Sequence, residues 1–312
     1  MNKMIIFLVF SVMLVSGCTD EGGASGGSSV SGNKETEILA EDILSLNAFE
    51  IIPSEILTPD RAFILRLEAE NIGNNAVTLK VDDSGSYDGD NVLYDYCSDI
   101  FIIDDPRSSF KMNPKPVGTP NEININPSAL QFFEWRMKAP GLDIVTDAGI
   151  TCNFMSQLSY DANASTNTYV YFATPFEILR SFYTKKNMYL LGSNIATDGP
   201  LKINIVPDVD QPVAMDNYAW TASINIENVG DGLAEVKSLK LILPDEINYV
   251  SGSDCDLDKV ENLEIRNGGS NQIPCMFTPP NENVLIATAY KIKAVAEYTY
   301  TVTDSIQVTV KP

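Results

Sequence analysis

The chain has 312 residues, with 21 Lys and Arg against 42 Asp and Glu, a formal net charge of -21 and no histidine. An acidic surface of this kind disfavours nucleic acid and anionic lipid head groups as partners. The absence of histidine excludes Ser-His-Asp and Cys-His nucleophiles and His-based zinc sites, so we expect a protein without catalysis or a resident cofactor.

The first 17 residues are predicted to be a secretory signal peptide, because Lys3 precedes an apolar stretch at residues 4–15 that is too short to span a bilayer. The string Val15-Ser16-Gly17-Cys18 resembles the lipobox of prokaryotic lipoproteins. That resemblance implies cleavage before Cys18, a lipid on Cys18 that binds the membrane, and a mature chain on the outer face of the cytoplasmic membrane or the cell surface. Residues 18–38 are rich in Gly and Ser and are predicted to be a flexible tether.

Two alternating stretches, each followed by an Asn-x-Gly turn, predict strands and an internal duplication. Residues 61–70 place apolar side chains on one face before Asn71-Ile72-Gly73, and residues 218–227 do the same before Asn228-Val229-Gly230. The same two-element pattern in both halves of one chain is typical of a repeat.

Four cysteines remain once Cys18 is assigned to the lipid, and an even number in an exported chain indicates disulfides. The pairing that keeps each bridge within one repeat is Cys97 with Cys152 and Cys255 with Cys275; free or intermolecular thiols are the alternative. The first cysteine of each pair follows its turn asparagine at nearly the same spacing, and the second cysteine opens a similar string in both halves. The two pairs are therefore predicted to be equivalent.

Three further segments complete the predicted elements. Residues 104–127 contain five prolines and are expected to form a long surface loop. A helix is predicted over residues 175–190, with Thr174 as its cap and an apolar face packed at the junction of the repeats. Additional strands are predicted at residues 170–173, 202–206, 236–243, 285–296, 299–302 and 305–310.

The predicted fold is all-β. Two consecutive units built as strand, Asn-x-Gly turn, strand and cysteine pair resemble the immunoglobulin-like domains of prokaryotic surface proteins, particularly the cell-adhesion-related, CARDB-like group. The resemblance covers roughly residues 45–173 and 200–311, and it implies tandem antiparallel sandwiches at residues 39–174 and 199–312 joined by a helix and linker at residues 175–198. This family has no catalytic residues to carry over.

Two acidic clusters are candidate calcium sites, because hard cations bind clustered oxygens. Neither matches the EF-hand pattern, and a solvated acidic loop is the alternative. A lone N-glycosylation sequon starts at Asn163 and is expected in a hairpin loop. Trp135 and Trp220 are expected in the core. The cluster residues are Asp82, Asp83, Asp88 and Asp90 in the first and Asp254, Asp256 and Asp258 in the second.

The sequence therefore predicts a non-catalytic cell-surface lipoprotein that acts as an adhesion or binding module for a surface protein or glycan. The predicted contact segments are the Pro-rich residues 104–127 and the acidic residues 82–91. One alternative is a structural subunit of the cell envelope or a surface filament, assembled through strand edges. Another is an accessory lipoprotein of an exported enzyme or transporter.

Overall fold

A computed structural model describes residues 43–80, 91–97, 100–103, 111–113, 122–184, 195–250, 255, 257–280 and 287–312. Almost all regular structure in these ranges is β. In chain order the elements are β1 (Leu44–Ile52), β2 (Ile56–Leu57), β3 (Ala62–Asn71), β4 (Val77–Lys80), β5 (Asn91–Asp95), β6 (Ile102–Ile103), β7 (Lys111–Asn113), β8 (Glu122–Ile125), β9 (Leu130–Lys138), β10 (Ile150–Ala173), α1 (Pro175–Thr184), β11 (Ile195–Ala196), β12 (Leu201–Pro207), β13 (Val213–Ala214), β14 (Trp220–Asn228), β15 (Leu233–Ile242), β16 (Asn248–Tyr249), a 3-10 helix (Leu257–Val260), β17 (Leu263–Arg266), β18 (Ser270–Thr278) and β19 (Thr288–Val310).

The strands form three sheets. The first-half sheet has the order β1-β3-β9-β6, with β7 also paired to β9, and the second-half sheet has the order β12-β14-β18-β16. The shared sheet has the order β17-β15-β19-β10-β4-β8, with β2, β5, β11 and β13 added along β10 and β19. Apart from the short pairs β2–β19 and β10–β13, the described pairings are antiparallel, which confirms the predicted all-β sandwich class.

The two long strands of the shared sheet run through both halves of the molecule. They pair without interruption from Ile150 opposite Val310 to Phe172 opposite Thr288. Near one end of β10, Phe154 packs edge-on against Phe101 beside the first-half sheet, at 5.2 Å between ring centroids. Near the other end, Phe172 packs against Trp220 of the second-half sheet at 5.6 Å. Each half therefore takes part of its core from a strand that also serves the other half.

Because β10 and β19 run through both halves, the predicted division into two domains does not coincide with separate compact units. The division into residues 39–174 and 199–312 follows the sequence repeat, whereas Ile38–Pro312 folds as one compact unit. The reason is the continuous ladder between β10 and β19. The three segments predicted at residues 285–296, 299–302 and 305–310 likewise form the single strand β19.

The hydrogen-bond registers show the duplication directly. Leu44 pairs with Asn71 in the first half, and Leu201 pairs with Asn228 in the second half. The first strand of each repeat therefore meets the turn asparagine in the same register, and Leu44 corresponds to Leu201 as Asn71 corresponds to Asn228.

The same correspondence relates the two long strands to each other. Counted from the turn asparagines, Leu79 corresponds to Val236; Leu79 pairs with Tyr160 of β10, and Val236 pairs with Tyr298 of β19. Tyr160 is therefore the counterpart of Tyr298. The residues that follow them, Asp161 and Thr299, pair with each other and so lie at a pseudo-two-fold axis.

The Asn-x-Gly turns explain why this pattern recurs. Asn71 is fully buried, and its amide donates to the carbonyl groups of Asn75 and Ile125, at 2.8 Å each, while its side-chain oxygen accepts the Gly73 N–H at 3.0 Å. One side chain thus satisfies three backbone groups that would otherwise be buried without a partner. The second half repeats all three bonds, with Asn228 joined to Gly232, Ile265 and Gly230.

Both predicted disulfides are present, but they are not equivalent in the fold. Cys97 is bonded to Cys152 on β10, and Cys255 is bonded to Cys275 on β18. Cys275 pairs with Ala222 in the same register in which Trp135 of β9 pairs with Leu65, so the counterpart of Cys275 in the first half is Trp135. The matched cysteine spacings in the sequence did not reflect the repeat.

The helix α1 begins as predicted at Pro175, where the Thr174 hydroxyl accepts the Glu177 N–H at 3.3 Å. Its described part ends at Thr184, and residues 185–190 of the prediction lie outside the described residues. The predicted burial of its apolar face is wrong, since Ser181 is the buried residue of the helix. The large apolar side chains that are more than half exposed are Phe176, Leu179, Phe182 and Tyr183.

Candidate binding surface

Several predicted site residues lie outside the described residues: Cys18, Asp82, Asp83, Asp88, Asp90, Asp254 and Asp256. Asp258 lies in the short 3-10 helix. In the parts of the chain that the structure describes, no group of three or more Cys, Asp or Glu side chains is arranged to hold a metal ion.

The predicted glycosylation sequon and the Pro-rich segment both have more regular structure than expected. Asn163 is exposed near the middle of β10, opposite Glu297 of β19, so its predicted position in a hairpin loop is wrong. A sequence that alternates polar and small residues is compatible with a strand as well as with a loop. Within residues 104–127, β7 pairs with β9 and β8 pairs with β4, so this segment is only in part a loop.

The outer face of the second-half sheet carries an unusual set of side chains for so acidic a protein. Its middle row crosses three strands, from Asn204 to Asn225 to Gln272. The next row contains Val206, Ser223 and Pro274, and beyond it Thr221 lies opposite Met276. These side chains are uncharged, and we call this surface the amide face; its residues are Asn204, Val206, Thr221, Ser223, Asn225, Gln272, Pro274 and Met276. Charged groups border it: the buried Ser223 hydroxyl donates to the Asp208 carboxylate at 2.8 Å, and Lys202 lies opposite Glu227 in the row beyond the amides.

The three amides of the middle row are available to a ligand. Gln272 is exposed, and Asn225 and Asn204 are half-buried beside it on β14 and β12. Their side chains make no hydrogen bond to another group in the described part of the chain. Neighbouring strands lie about 4.8 Å apart, so the row presents a spaced line of groups that both donate and accept hydrogen bonds.

Several equivalent positions in the first half carry charged side chains that bond to one another, whereas the counterparts of Gln272 and Asn204 are Phe132 and Ala48. Asn225 corresponds to Glu68, Ser223 to Arg66 and Pro274 to Glu134. The Arg66 guanidinium donates to the Glu134 carboxylate at 2.7 Å. That hydrogen bond is the main cause that raises the pKa of Arg66 above its ordinary value.

The ion pairs of the first half extend across the sheet. Arg66 also lies 3.5 Å from the carboxylate of Glu50 on β1, and the amide of Asn47 donates to Glu70 at 2.9 Å. Because these groups satisfy one another, the first-half outer face offers few free polar partners. The two outer faces have the same strand pairing and differ in which polar side chains are free to bind a ligand.

The aromatic side chain of Tyr249, on the edge strand β16, is opposite Phe277 and so lies on the core side of the second-half sheet, not on the amide face. Tyr249 is 41% exposed, and its ring lies 5.5 Å from that of buried Phe277. Burial raises the pKa of the Tyr249 phenol above its ordinary value. Trp135 and Trp220, by contrast, are buried, as predicted for core residues.

The amide face was not among the predicted contact segments, although a signal for it is present in the sequence. The alternation that predicts β14 also identifies residues 221, 223 and 225 as its outward positions. The corresponding outward residues of β3 include Arg66 and Glu68, so the sequence alone shows that the two repeats differ in charge at these positions. The pairing of β14 with β12 and β18, which sets the rows, is decided only in the folded chain.

The described residues contain no helix with the length and apolar character needed to cross a membrane. Two disulfides are typical of a protein that folds in an oxidising, extracytoplasmic compartment.

Comparison with known proteins does not assign a family: no family model and no curated protein matches this chain. Weak structural similarity is found to a protein of unknown function from Porphyromonas gingivalis W83, with 11% identity, a TM-score of 0.18 and coverage of 76% of this chain and 83% of that one. Red sea bream transglutaminase has 10% identity, a TM-score of 0.20 and coverage of 86% and 31%. The secreted serine protease VesC from Vibrio cholerae has 10% identity, a TM-score of 0.21 and coverage of 83% and 51%. Similarity at this level carries no functional argument.

Proposed function

We propose that this protein is a non-catalytic binding module, exported and held at the cell surface by a lipid on Cys18, and that its ligand is a neutral, hydroxyl-rich surface glycan. The observation that carries the proposal is the amide face, in which the side chains of Asn204, Asn225 and Gln272 form no hydrogen bond with the described residues.

Charge favours a neutral ligand. The chain has a formal net charge of -21, so an acidic polymer approaching the surface is repelled. A neutral glycan avoids that repulsion, and its hydroxyl groups both donate and accept hydrogen bonds, as the amides do. The neighbouring side chains of Val206, Pro274 and Met276 offer apolar surface to the C–H groups of a sugar ring.

The proposal is tested by measuring binding of the chain from residue 37 to a panel of immobilised neutral and acidic polysaccharides. We expect binding to at least one neutral polymer. The double variant Asn225→Asp, Gln272→Glu keeps side-chain shape but adds two negative charges to the row, and we expect it to lose at least tenfold in affinity, about 1.4 kcal/mol or more.

The matched control is Glu68→Gln, which changes the equivalent outward position of the first-half sheet. We expect this variant to bind as the unmodified chain does. Unchanged affinity in the double variant, or a loss confined to Glu68→Gln, would remove the amide face from the binding site. Absence of binding to every polymer would reject the glycan.

The lipid anchor is tested separately in the producing cell. We expect Cys18→Ser to move the protein from the membrane fraction to the soluble fraction, because a lipidated cysteine is the proposed attachment to the membrane. Ser16→Ala, which alters the preceding string and keeps the cysteine, is the control. Retention of Cys18→Ser in the detergent phase would contradict the anchor and would leave the glycan test unaffected.

A further inference from the structure

The helix α1 turns its apolar side chains away from the protein. Its buried residue is Ser181, whose hydroxyl donates to the Ile178 carbonyl at 3.0 Å. A surface helix of a globular protein normally turns its apolar stripe to the core, so α1 has the reverse orientation. The exposed apolar side chains are Phe176, Leu179, Phe182 and Tyr183.

These exposed side chains form one continuous surface. Phe176, Leu179 and Tyr183 follow one another at intervals of three and four residues, so they share one face of the helix. The Phe182 ring packs edge-on against the Tyr183 ring, with 5.8 Å between centroids, and widens that face. We call the surface of these four side chains the α1 face.

The α1 face carries no net charge, although the chain as a whole is strongly acidic. The charged residues of α1 are Glu177 and Arg180, and the Arg180 guanidinium donates to the Glu177 carboxylate at 3.1 Å. The helix therefore adds nothing to the formal net charge of -21. Its exposed face suits an occupant that is apolar and uncharged.

The α1 face lies at the second-half end of the shared sheet. α1 begins two residues after Ala173, the last residue of β10. The Met215 N–H donates to the Ala173 carbonyl at 3.0 Å, and three residues farther along the chain Tyr218 is 86% exposed. A further exposed aromatic side chain therefore lies at the same end of the molecule.

We propose that the α1 face lies in the surface of an uncharged lipid bilayer, the bilayer to which the chain is anchored. A helix of this kind lies parallel to the membrane, with Phe and Leu side chains among the acyl chains and its polar side towards water. The inference rests on the proposed lipid on Cys18 and goes beyond it, because it gives the folded body a second contact with the membrane. It is independent of the proposed glycan ligand.

The anchor is long enough for this contact. Ile43 and Tyr298 both lie beside Gly199, and the partner of Tyr298 on β10 lies eleven residues before Ala173, or about 36 Å along the strand. Cys18 precedes Ile43 by 25 residues, a length of chain that can span up to about 85 Å. A lipid on Cys18 therefore allows α1 to meet the bilayer.

Charge and tethering favour the bilayer over a second copy of the chain. Two copies that each have a formal net charge of -21 repel one another, whereas a bilayer of zwitterionic lipid does not repel the chain. The anchor also holds the bilayer near α1 at a high effective concentration. A small apolar face, which binds a membrane only weakly from solution, is then sufficient.

The decisive experiment places the chain from Thr19 on vesicles through an artificial anchor. A hexahistidine tag before Thr19 binds a nickel-chelating lipid in phosphatidylcholine vesicles that also contain doxyl-labelled phosphatidylcholine, which quenches fluorophores among the acyl chains. A nitrobenzoxadiazole group on Leu179→Cys reports on the α1 face. The same group on Leu142→Cys is the matched control, because Leu142 is 67% exposed and lies between β9 and β10, at the opposite end of β10.

We expect quenching to remove most of the fluorescence at position 179 and little of it at position 142. Adding Phe176→Ser and Phe182→Ser to the labelled Leu179→Cys chain should abolish most of that quenching. Both rings are exposed, so these variants should fold, and retention of the two native disulfides checks that they do.

Three results would overturn the proposal: no quenching at position 179, equal quenching at positions 179 and 142, or quenching that survives the loss of both rings. A fluorescence change at position 179 that grows with protein concentration in the absence of vesicles would overturn it as well and would assign the α1 face to a second copy. Because the tag replaces the lipid, none of these results depends on whether Cys18 is lipidated, which the fractionation of Cys18→Ser tests.

A second measurement tests the charge of the bilayer. Replacing part of the phosphatidylcholine by phosphatidylglycerol adds negative charge to the vesicle, and at about 0.01 M ionic strength charges act over about 30 Å. We expect quenching at position 179 to decrease, because the acidic chain is repelled. Unchanged or stronger quenching would overturn the assignment to an uncharged bilayer.

Discussion

The two halves of this molecule share a backbone hydrogen-bond pattern and differ in the side chains that surround it. Asn71 and Asn228 are fully buried and make the same three bonds, whereas the outward position of Glu68 in one half is Asn225 in the other. Disulfides also differ, because Cys152 lies in the shared sheet and Cys275 in the second-half sheet. Positions that satisfy buried backbone groups have been kept alike, while outward positions and covalent links have diverged.

This contrast also separates the two kinds of surface. In the first half, Arg66 joins Glu50 and Glu134 in a ladder across three strands, and these three charged groups satisfy one another. In the second half, the middle row of amides contributes no bond to the described fold and is open to a ligand. The comparison favours a supporting role for the first-half outer face and a recognition role for the amide face, and the following predictions test it.

Removal of the disulfides should give the largest effects and should distinguish the halves. The Cys97–Cys152 bridge joins positions separated by 55 residues and the Cys255–Cys275 bridge positions separated by 20. Loop-closure entropy then predicts losses in the free energy of unfolding of about 4 and about 3 kcal/mol when each pair is replaced by alanine. Urea denaturation under nonreducing conditions measures both, and a larger loss for the shorter loop would show that chain entropy does not dominate.

Truncation of the turn asparagines should give effects of similar size in the two halves. Asn71→Ala and Asn228→Ala each leave buried carbonyl groups without a donor, so we expect each to lower the free energy of unfolding by about 2 kcal/mol. Asn204→Ala, which removes no bond, is the control and should change it by less than about 0.5 kcal/mol. Strongly unequal effects of the two turn variants would show that the repeat is not energetically symmetric.

Substitutions at two equivalent turn residues should change the stability in opposite directions. Ser128 and Gly268 occupy the same left-handed backbone position, with φ of 59° and 68°. A side chain is strained in this backbone conformation. Ser128→Gly should therefore raise the free energy of unfolding by about 1 kcal/mol and Gly268→Ala should lower it by about 1 kcal/mol, and the melting temperature should shift in the same directions. A Cβ atom at Gly268 would meet no atom within 4 Å, so steric contact does not complicate the comparison.

The smallest effect is expected for the ion ladder of the first half. Arg66→Gln removes the bonds to Glu50 and Glu134, and since the Arg66 side chain is 35% exposed, solvent screening limits the loss to about 1 kcal/mol or less. The loss should shrink in about 1 M NaCl. Ser223→Ala, at the equivalent position of the second half, removes a bond from a neutral hydroxyl to the Asp208 carboxylate, so its effect should depend less on salt.

Local patterns in the sequence predicted much of this fold, because their causes are local. The alternation of residues 61–70 and 218–227 follows from burying one face of a strand, and it is present in β3 and β14. The cap of α1 was predicted from Thr174 and Pro175 for the same reason. The prediction that the apolar face of α1 is buried was wrong. An amphipathic pattern shows which face of a helix is apolar, but it does not show that another element covers that face.

The cysteines show a second limit. Their pairing was predicted correctly from parity and proximity in the chain, yet their apparent equivalence was wrong because spacing from a turn does not specify a strand. Among the candidate functional residues, the predicted contact segments lie largely outside the described residues. The amide face required knowing which strands are neighbours.

The sequence by itself determined the all-β class, the two Asn-x-Gly turns, the disulfide pairs and the existence of a repeat, because each depends on residue type and short spacing. Only the tertiary structure decided that the repeats are joined through one sheet. Pairing of Ile150 with Val310 and of Phe172 with Thr288 connects residues that are far apart in the chain. Such contacts depend on how whole strands bury their faces against one another, and the alternation of β10 and β19 is equally compatible with other partners.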